Sequence, residues 1–403
     1  MVLVATPALA TATHQATARS GFRAELRPIG QLSELEREWT ALEAVIECAP
    51  FFSWYWVSTW LRELPATVRP LLFRATGPDG IVALALLVAA PERGRTRWFG
   101  RHSWHMQETG DTELDEVTVE YGGLLARPGD LVDAWSALAG LLEGLPRDWR
   151  RLRITTSAQG SAIALALPSG MQAASVRARP CYRVDLEAVR TAAGGYVEVL
   201  GRKARGALRQ TLRAYAALGP LHAETAPDAG TALAWFDAFE HLHTRHWQQR
   251  GAGGCFSRPF FGRFHRALIA RATDDGFVRM TRVKAGDVLV GYLYNLGWQG
   301  RVYYYNAGMN YGILGRHDRP GIASLYAAVE QAAAEGAQVF DFLAGEQEYK
   351  RRLSTDAVTL HSIDVRRAGM RATAERIGAG LAGRDTLGVS LAEALATPST
   401  QGD

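Results

Sequence analysis

Residues 277–350 constrain this chain more than any other stretch. FVRMTRV (277–283), the turn Ala285-Gly286-Asp287, VLVGYLYNLGW (288–298), the turn Gln299-Gly300 and RVYYYNAG (301–308) follow one another. Short β-branched and aromatic runs separated by glycine turns predict strands joined as hairpins. NYGILGRHDRPG (310–321) is too rich in glycine for regular structure. From Gly321, the residues Ile322, Leu325, Tyr326 and Val329 fall at i, i+3, i+4 and i+7, which is one face of a helix, and Gly336 supplies its left-handed terminus. QVFDFLAG (338–345) is apolar throughout apart from Asp341, as a strand covered on both faces should be.

A strand, a crossover helix and a second buried strand are most simply placed in parallel, with the helix start beside the first strand's carboxyl end. Backbone N–H groups at a helix start lack intrahelical partners, and the helix dipole adds positive potential, so an anion is the natural occupant. Arg316, His317 and Arg319 precede the helix and supply cations for a phosphate or carboxylate; the alternative is that they are solvated loop residues.

The strand series, the basic glycine loop, the helix, DFLAGEQEYK (341–350) and the upstream HTRHWQQRG (243–251) together resemble the CelD/BcsL-like branch of the GNAT acyltransferases. The resemblance covers residues 180–365 well and the first half more loosely. It implies an α/β fold of two tandem GNAT-like lobes, as in FemAB-like proteins, each a mostly antiparallel meander with a βαβ crossover and splayed strands. It also implies that the helix start, with Gly321, Ile322, Ala323 and Ser324, binds the pyrophosphate of acyl-coenzyme A. RPGIA (319–323) matches the end of the family's R/Q-x-x-G-x-G/A loop signature. In such folds the backbone of the preceding strand, here Tyr305, Asn306 and Gly308, receives the thioester oxygen, and glycine permits close approach.

At 403 residues the chain exceeds the usual size of a single core, so two domains are expected. Hydrophobic residues at 47% and charged residues at 21% describe an ordinary globular protein. A net charge of +4 and a pI near 9.0 suit an anionic ligand without requiring nucleic acid. Cys48, Cys181 and Cys255 are widely spaced and odd in number, which indicates neither a disulfide framework nor a zinc site and fits a reducing cytoplasm. No Lys or Arg precedes Arg19, and Thr6 and Pro7 break the apolar run, so residues 1–20 read as a flexible tail rather than a secretory signal. No stretch approaches the roughly 18 apolar residues of a membrane span.

The expected lobes are 21–175 and 176–370, with a helical or flexible tail over 371–403. In the first, Trp56, Trp60 and Leu64 stack at i+4 spacing as core. Strands are expected at 97–104 and 117–126, on either side of the acidic loop ETGDTELDE. No basic glycine loop follows the second of these, so this lobe is expected to bind the acceptor and support its neighbour.

In the second lobe, Arg202, Lys203, Arg205, Arg209 and Arg213 carry no acid among them, and Arg205, Arg209 and Arg213 share a helical face. That face is either solvated or meets an anionic acceptor. His241, His243 and His246 cannot converge on one metal from a helix, and no metal is expected. The resemblance makes this helix a wall of the acceptor site, with His246 or Trp247 pointing inward. Asp341 is either hydrogen-bonded for structure or a proton acceptor with a raised pKa. Glu346 and Lys350 are spaced for an ion pair, and Tyr349 can protonate a departing thiolate; with Asp341 these are the candidate catalytic residues.

The expected activity is transfer of an acetyl or longer acyl group from acyl-coenzyme A to the amine of a small molecule, amino sugar or amino acid, without metal or membrane. Two alternatives stay open: a FemAB-like transferase using aminoacyl-tRNA, and a non-catalytic scaffold in exopolysaccharide synthesis.

Overall fold

The computed structural model describes residues 13–17, 21–92, 102–315, 318–369, 389–391 and 395. The chain divides into two compact units, residues 1–179 with 359–403, and residues 180–358. The first boundary falls within strand Met171–Asp185 and the second within strand Asp356–Arg367.

The first unit contains β1 (His14–Thr17), β2 (Arg23–Pro28), α1 (Leu32–Glu43), α2 (Trp54–Glu63), β3 (Leu71–Gly77), β4 (Gly80–Pro91), β5 (His102–Met106), β6 (Leu125–Ala126), α3 (Leu131–Gly144), β7 (Trp149–Ser157), α4 (Gly160–Ala166) and the start of β8 (Met171–Asp185). Strands β1 to β5 pair antiparallel in sequence, and β5 then pairs parallel with β7 across the α3 crossover. Trp104, Trp135, Phe73 and Leu138 fill its core.

Four expectations for this unit are corrected. The proposed N-terminal tail contributes β1, which pairs with β2 through His14↔Leu26 to Thr17↔Arg23. Residues 117–124 are not strand: Tyr121 is left-handed at φ 58°, and Gly122 lies so close to β7 that a Cβ would sit 2.6 Å from Thr155 O. Residues 359–367 belong to this unit rather than the second, because they pair with β7 and bury Asp364 against Arg151 and Arg153 at 3.0 and 2.9 Å. Within the expected C-terminal tail, Val389–Ser390 pairs with β8 and Leu391 is buried. Of the expected strand 97–104, residues 97–101 lie outside the described residues.

The second unit runs from the end of β8 through α5 (Leu186–Thr191), α6 (Tyr196–Val199), α7 (Arg202–Ala216), β9 (Leu221–Thr225), α8 (Ala229–Gln248), α9 (Pro259–Ala272), β10 (Val278–Ala285), β11 (Val288–Trp298), β12 (Arg301–Met309), α10 (Pro320–Ala334), β13 (Val339–Ala344) and α11 (Glu348–Arg352) to the first residues of β14 (Asp356–Arg367). Its strand order is β9-β10-β11-β12-β13-β8, antiparallel except for the β12–β13 pair. Alternation along β11 divides its side chains between two layers. Leu293 joins α10 residues such as Leu325 and Val329 in one core. Tyr292 and Tyr294 meet Trp235 and Phe236 of α8 at ring distances of 6.1 and 5.8 Å. Small buried residues, Ala323, Ala327, Ala328 and Ala332, bring α10 close to the sheet, and each buried Leu, Val or Phe of this core adds roughly 1.5–3 kcal/mol. Asp228 caps α8 by accepting the Thr231 N–H at 2.7 Å.

Candidate active site

The parallel pairing of β12 with β13 is short. It covers Arg301↔Val339, Val302↔Phe340 and Tyr303↔Asp341, and then stops. Two irregularities divert the strands. On β12, Tyr294 pairs with Asn306 while Asn295 pairs with Tyr304, which leaves Tyr305 as an extra bulged residue. On β13, the register against β8 shifts between Asp341 and Ala344, and Leu343 sits at φ 60°.

A cavity of about 380 Å³ lies along β12 beyond Tyr303, the last residue paired with β13. His243, His246 and Trp247 of α8 form one wall, and Tyr304, Asn306, Ala307 and Met309 of β12 another. Arg319, Pro320, Gly321, Ile322 and Leu325 at the start of α10 close it with Tyr311 and Tyr349. A second cavity of about 280 Å³ lies against Ala204, Ala207 and Leu208 of α7. Arg319, Ile322 and Tyr349 line both.

The loop before α10 is held by Asp318, whose carboxylate accepts the Tyr215 hydroxyl at 2.8 Å and the Gly312 N–H. Pro320 at the first helical position has no N–H, and Ile322 and Ala323 both donate to Arg319 O at 3.1 Å. Instead of the four donors that an ideal helix start offers, the Gly321 N–H is therefore the amide of this first turn left for a ligand, among the described residues. A Cβ built on Gly321 meets nothing within 4 Å, so the space before it is open. Arg319 adds a guanidinium at the positive end of the helix dipole.

The histidines and tyrosines of the cleft with shifted pKa values are neutral at pH 7. Burial, and then the neighbouring His246, hold His243 down at about 4, and its Nε2 accepts the Trp247 Nε1–H at 3.0 Å. His246 is lowered from 6.5 by burial and by Arg250, which donates to its ring. Tyr349 is raised from 10.0, chiefly by burial, and shares a hydrogen bond with Tyr304, itself pushed well up by burial. No carboxylate lines the larger cavity.

Tyr349, Asn306, Arg319, Gly321, Ile322, His246 and Trp247 are thus brought together. Other candidates are placed elsewhere. Asp341 is fully buried and accepts the Leu343 N–H at 2.7 Å and the Cys181 thiol at 3.2 Å, which is the structural alternative for it. Lys350 is buried and donates to Leu343 O and Ala344 O at 3.3 and 3.2 Å. Glu346 is exposed and lines neither cavity. Gly308 faces α8, where a Cβ would lie 2.7 Å from Phe239 O, so glycine is required there for packing rather than for a ligand. Tyr305 turns its ring to His265 and Tyr294, leaving only its backbone at the bulge. The side chains of Ala323 and Ser324 are buried away from the cleft. Arg205 and Arg209 both bind Glu198, and neither lines either of these two cavities. Arg316 and His317 lie outside the described residues.

Tyr304, Tyr311 and His243 were not among the expected site residues. An aromatic residue set in a glycine loop, Tyr311, was the available signal for one of them. Among the described residues no cluster could hold a metal ion, and no helix is long and apolar enough to cross a membrane.

Residues 202–351 match the family model described as an acetyltransferase (GNAT) domain. Among solved structures the chain is similar to FemX, at 10% identity and a TM-score of 0.55 over 87% of this chain and 99% of that one. It is also similar to a domain from Agrobacterium fabrum named as the C-terminal part of a lysylphosphatidylglycerol synthetase, at 12% identity and a TM-score of 0.50 over 89% and 99% of the two chains. A search of curated proteins finds no match. At these identities the structural likeness is one of fold, and with the family match it gives the region 202–351 the GNAT fold of acyltransferases.

Proposed function

We propose that the chain is an acyl-coenzyme A-dependent N-acyltransferase, of the CelD/BcsL-like branch, acting on the amine of a small molecule. The observation that carries this reading is the opening after Tyr303↔Asp341, with the Gly321 amide and Arg319 at its mouth. A diphosphate at the start of α10 would lead a pantetheine arm between the diverging strands. The thioester would then meet β12 beside the Tyr305 bulge, facing the acceptor wall of α8. Arg319 holds phosphate charge, and Asn306 stands in the wall nearest the bulge.

The amine attacks the thioester carbon, the carbon–sulfur bond breaks, and the coenzyme leaves as a thiolate that takes a proton. Tyr349 fits the role of acid, because burial keeps its hydroxyl protonated at neutral pH. Its partner Tyr304 can stabilise the phenolate that results. His246 is an imidazole lining the cavity, half-buried and neutral at pH 7, and is the proposed acceptor of the amine's proton, taken at the ring nitrogen that Arg250 gives up. Release of free thiol from acetyl-coenzyme A with a panel of amines tests the reading, and no release with any amine or acyl chain would overturn it.

A second reading keeps the cleft but takes its acyl group from aminoacyl-tRNA, as a FemAB-like transferase would. The fold shared with FemX motivates it. Against it, Arg205 and Arg209 of the basic helix are engaged by Glu198. Binding of tRNA that falls steeply with salt would favour it over coenzyme A.

A further inference from the structure

Resting on the acyltransferase reading, we infer that the acceptor is a ring-bearing anion, seated on Trp247 and Tyr311 and steered by Arg245 and Arg250.

Trp247 and Tyr311 are 38% and 47% exposed, and no other Phe, Trp or Tyr is exposed among the described residues. Both line the same cavity. A solvent-facing indole and phenol at the mouth of one cleft are a costly arrangement unless a flat face covers them. His246 fills the space between them, stacked on Tyr311 at 4.5 Å and 18° and edge-on to Trp247 at 5.8 Å. The three rings are contiguous, with Trp247 standing across the parallel pair His246–Tyr311.

Charge around these rings is mostly positive, since Asp318, which acts on Tyr311, is taken up by the Tyr215 hydroxyl and the Gly312 N–H. Arg250 donates to His246 and acts electrostatically on Tyr311, which places it beside both rings. Arg245 reaches across to Asn310 Oδ1 at 3.3 Å, next to Tyr311. With no carboxylate in the cavity wall, an ammonium group would meet only ring faces there, against the opposing charge of Arg245 and Arg250. A polycationic amine is therefore repelled, whereas an acceptor with a phosphate or carboxylate beside its ring is attracted. The ring can be aryl or sugar, since both present a face that stacks on aromatic side chains.

Calorimetric titration of the full chain tests this without turnover, using 4-aminobenzoate as the aryl probe, glucosamine 6-phosphate as the sugar probe, phosphoethanolamine as an anion without a ring, and spermidine as a polycation. At least one ring probe should bind about tenfold tighter than both ring-free amines. Trp247→Ala and Arg250→Ala should each weaken that binding about tenfold, with near-ultraviolet circular dichroism confirming the fold. Equal or tighter binding of spermidine or phosphoethanolamine, no binding of either ring probe, or unchanged binding in both variants would overturn the inference. A parallel coenzyme A titration separates the two failures: coenzyme A binding without ring selectivity removes only the acceptor class, and loss of coenzyme A binding removes the donor reading.

Discussion

Asp341 Oδ1 accepts the Leu343 N–H at 2.7 Å, and that bond holds Leu343 in the left-handed conformation at φ 60°. Asp341 is the last residue of β13 to pair with β12, so the bond sits where the two strands part. Lys350 fixes the same kink from the other side through Leu343 O and Ala344 O. Two buried side chains that look catalytic in sequence thus both bond the backbone where the strands part. Asp341→Ala, which strands a buried N–H, should cost about 1–3 kcal/mol by denaturant unfolding. Asp341→Asn keeps an acceptor oxygen and should retain turnover within about threefold. A hundredfold loss in Asp341→Asn at unchanged stability would make Asp341 a proton acceptor after all.

Gly321 in the cleft and Gly308 against α8 should respond oppositely to an added methyl group. Gly321→Ala meets open space and should leave stability unchanged or raise it by up to about 1 kcal/mol, while weakening coenzyme A binding several-fold. Gly308→Ala places a Cβ against Phe239 O and should cost about 1–3 kcal/mol. Thermal unfolding and ligand titration of the pair check this; equal effects on stability would contradict it.

Tyr349→Phe removes the proposed acid but keeps the ring. We expect kcat to fall by about 100-fold with coenzyme A affinity unchanged, since the interaction is made only as the thiolate departs. A changed affinity at constant kcat would assign Tyr349 to donor binding instead.

His246 is lowered from 6.5 by burial and Arg250, with Trp247, Tyr311 and His243 as its other neighbours. A lowered pKa means that its basic form is already populated at neutral pH. The profile of kcat/KM should therefore rise from the acid side through a pKa below 6.5 and be level by pH 7. His246→Ala should abolish that limb, and a limb of unchanged position in the variant would exclude His246 as the base.

Residues 277–345 were legible because their signals are local: hairpin turns at Gly286 and Gly300, a helical face from Ile322, and a buried strand around Asp341. What could not be read depended on partners far along the chain. Arg205 and Arg209 look like a free cationic stripe until Glu198, on the preceding short helix, is brought alongside. Gly308 looks like a place for a ligand until the α8 backbone approaches it. The run 117–124 is β-rich in composition, yet Tyr121 is left-handed and Gly122 is pressed against Thr155 O of β7, a contact no local pattern reveals. The acceptor wall was half legible, since His246 and Trp247 are neighbours on one helix while Tyr311 arrives from a loop.

The central claim is a diphosphate seat at the start of α10, and titration of coenzyme A into the wild-type chain and Arg319→Ala tests it most directly. The account predicts saturable one-to-one binding that is about tenfold weaker in the variant, with the difference shrinking as salt rises. No binding to the wild type at roughly 1 mM coenzyme A, the upper end of ordinary substrate affinities, or identical affinity in Arg319→Ala, would contradict it.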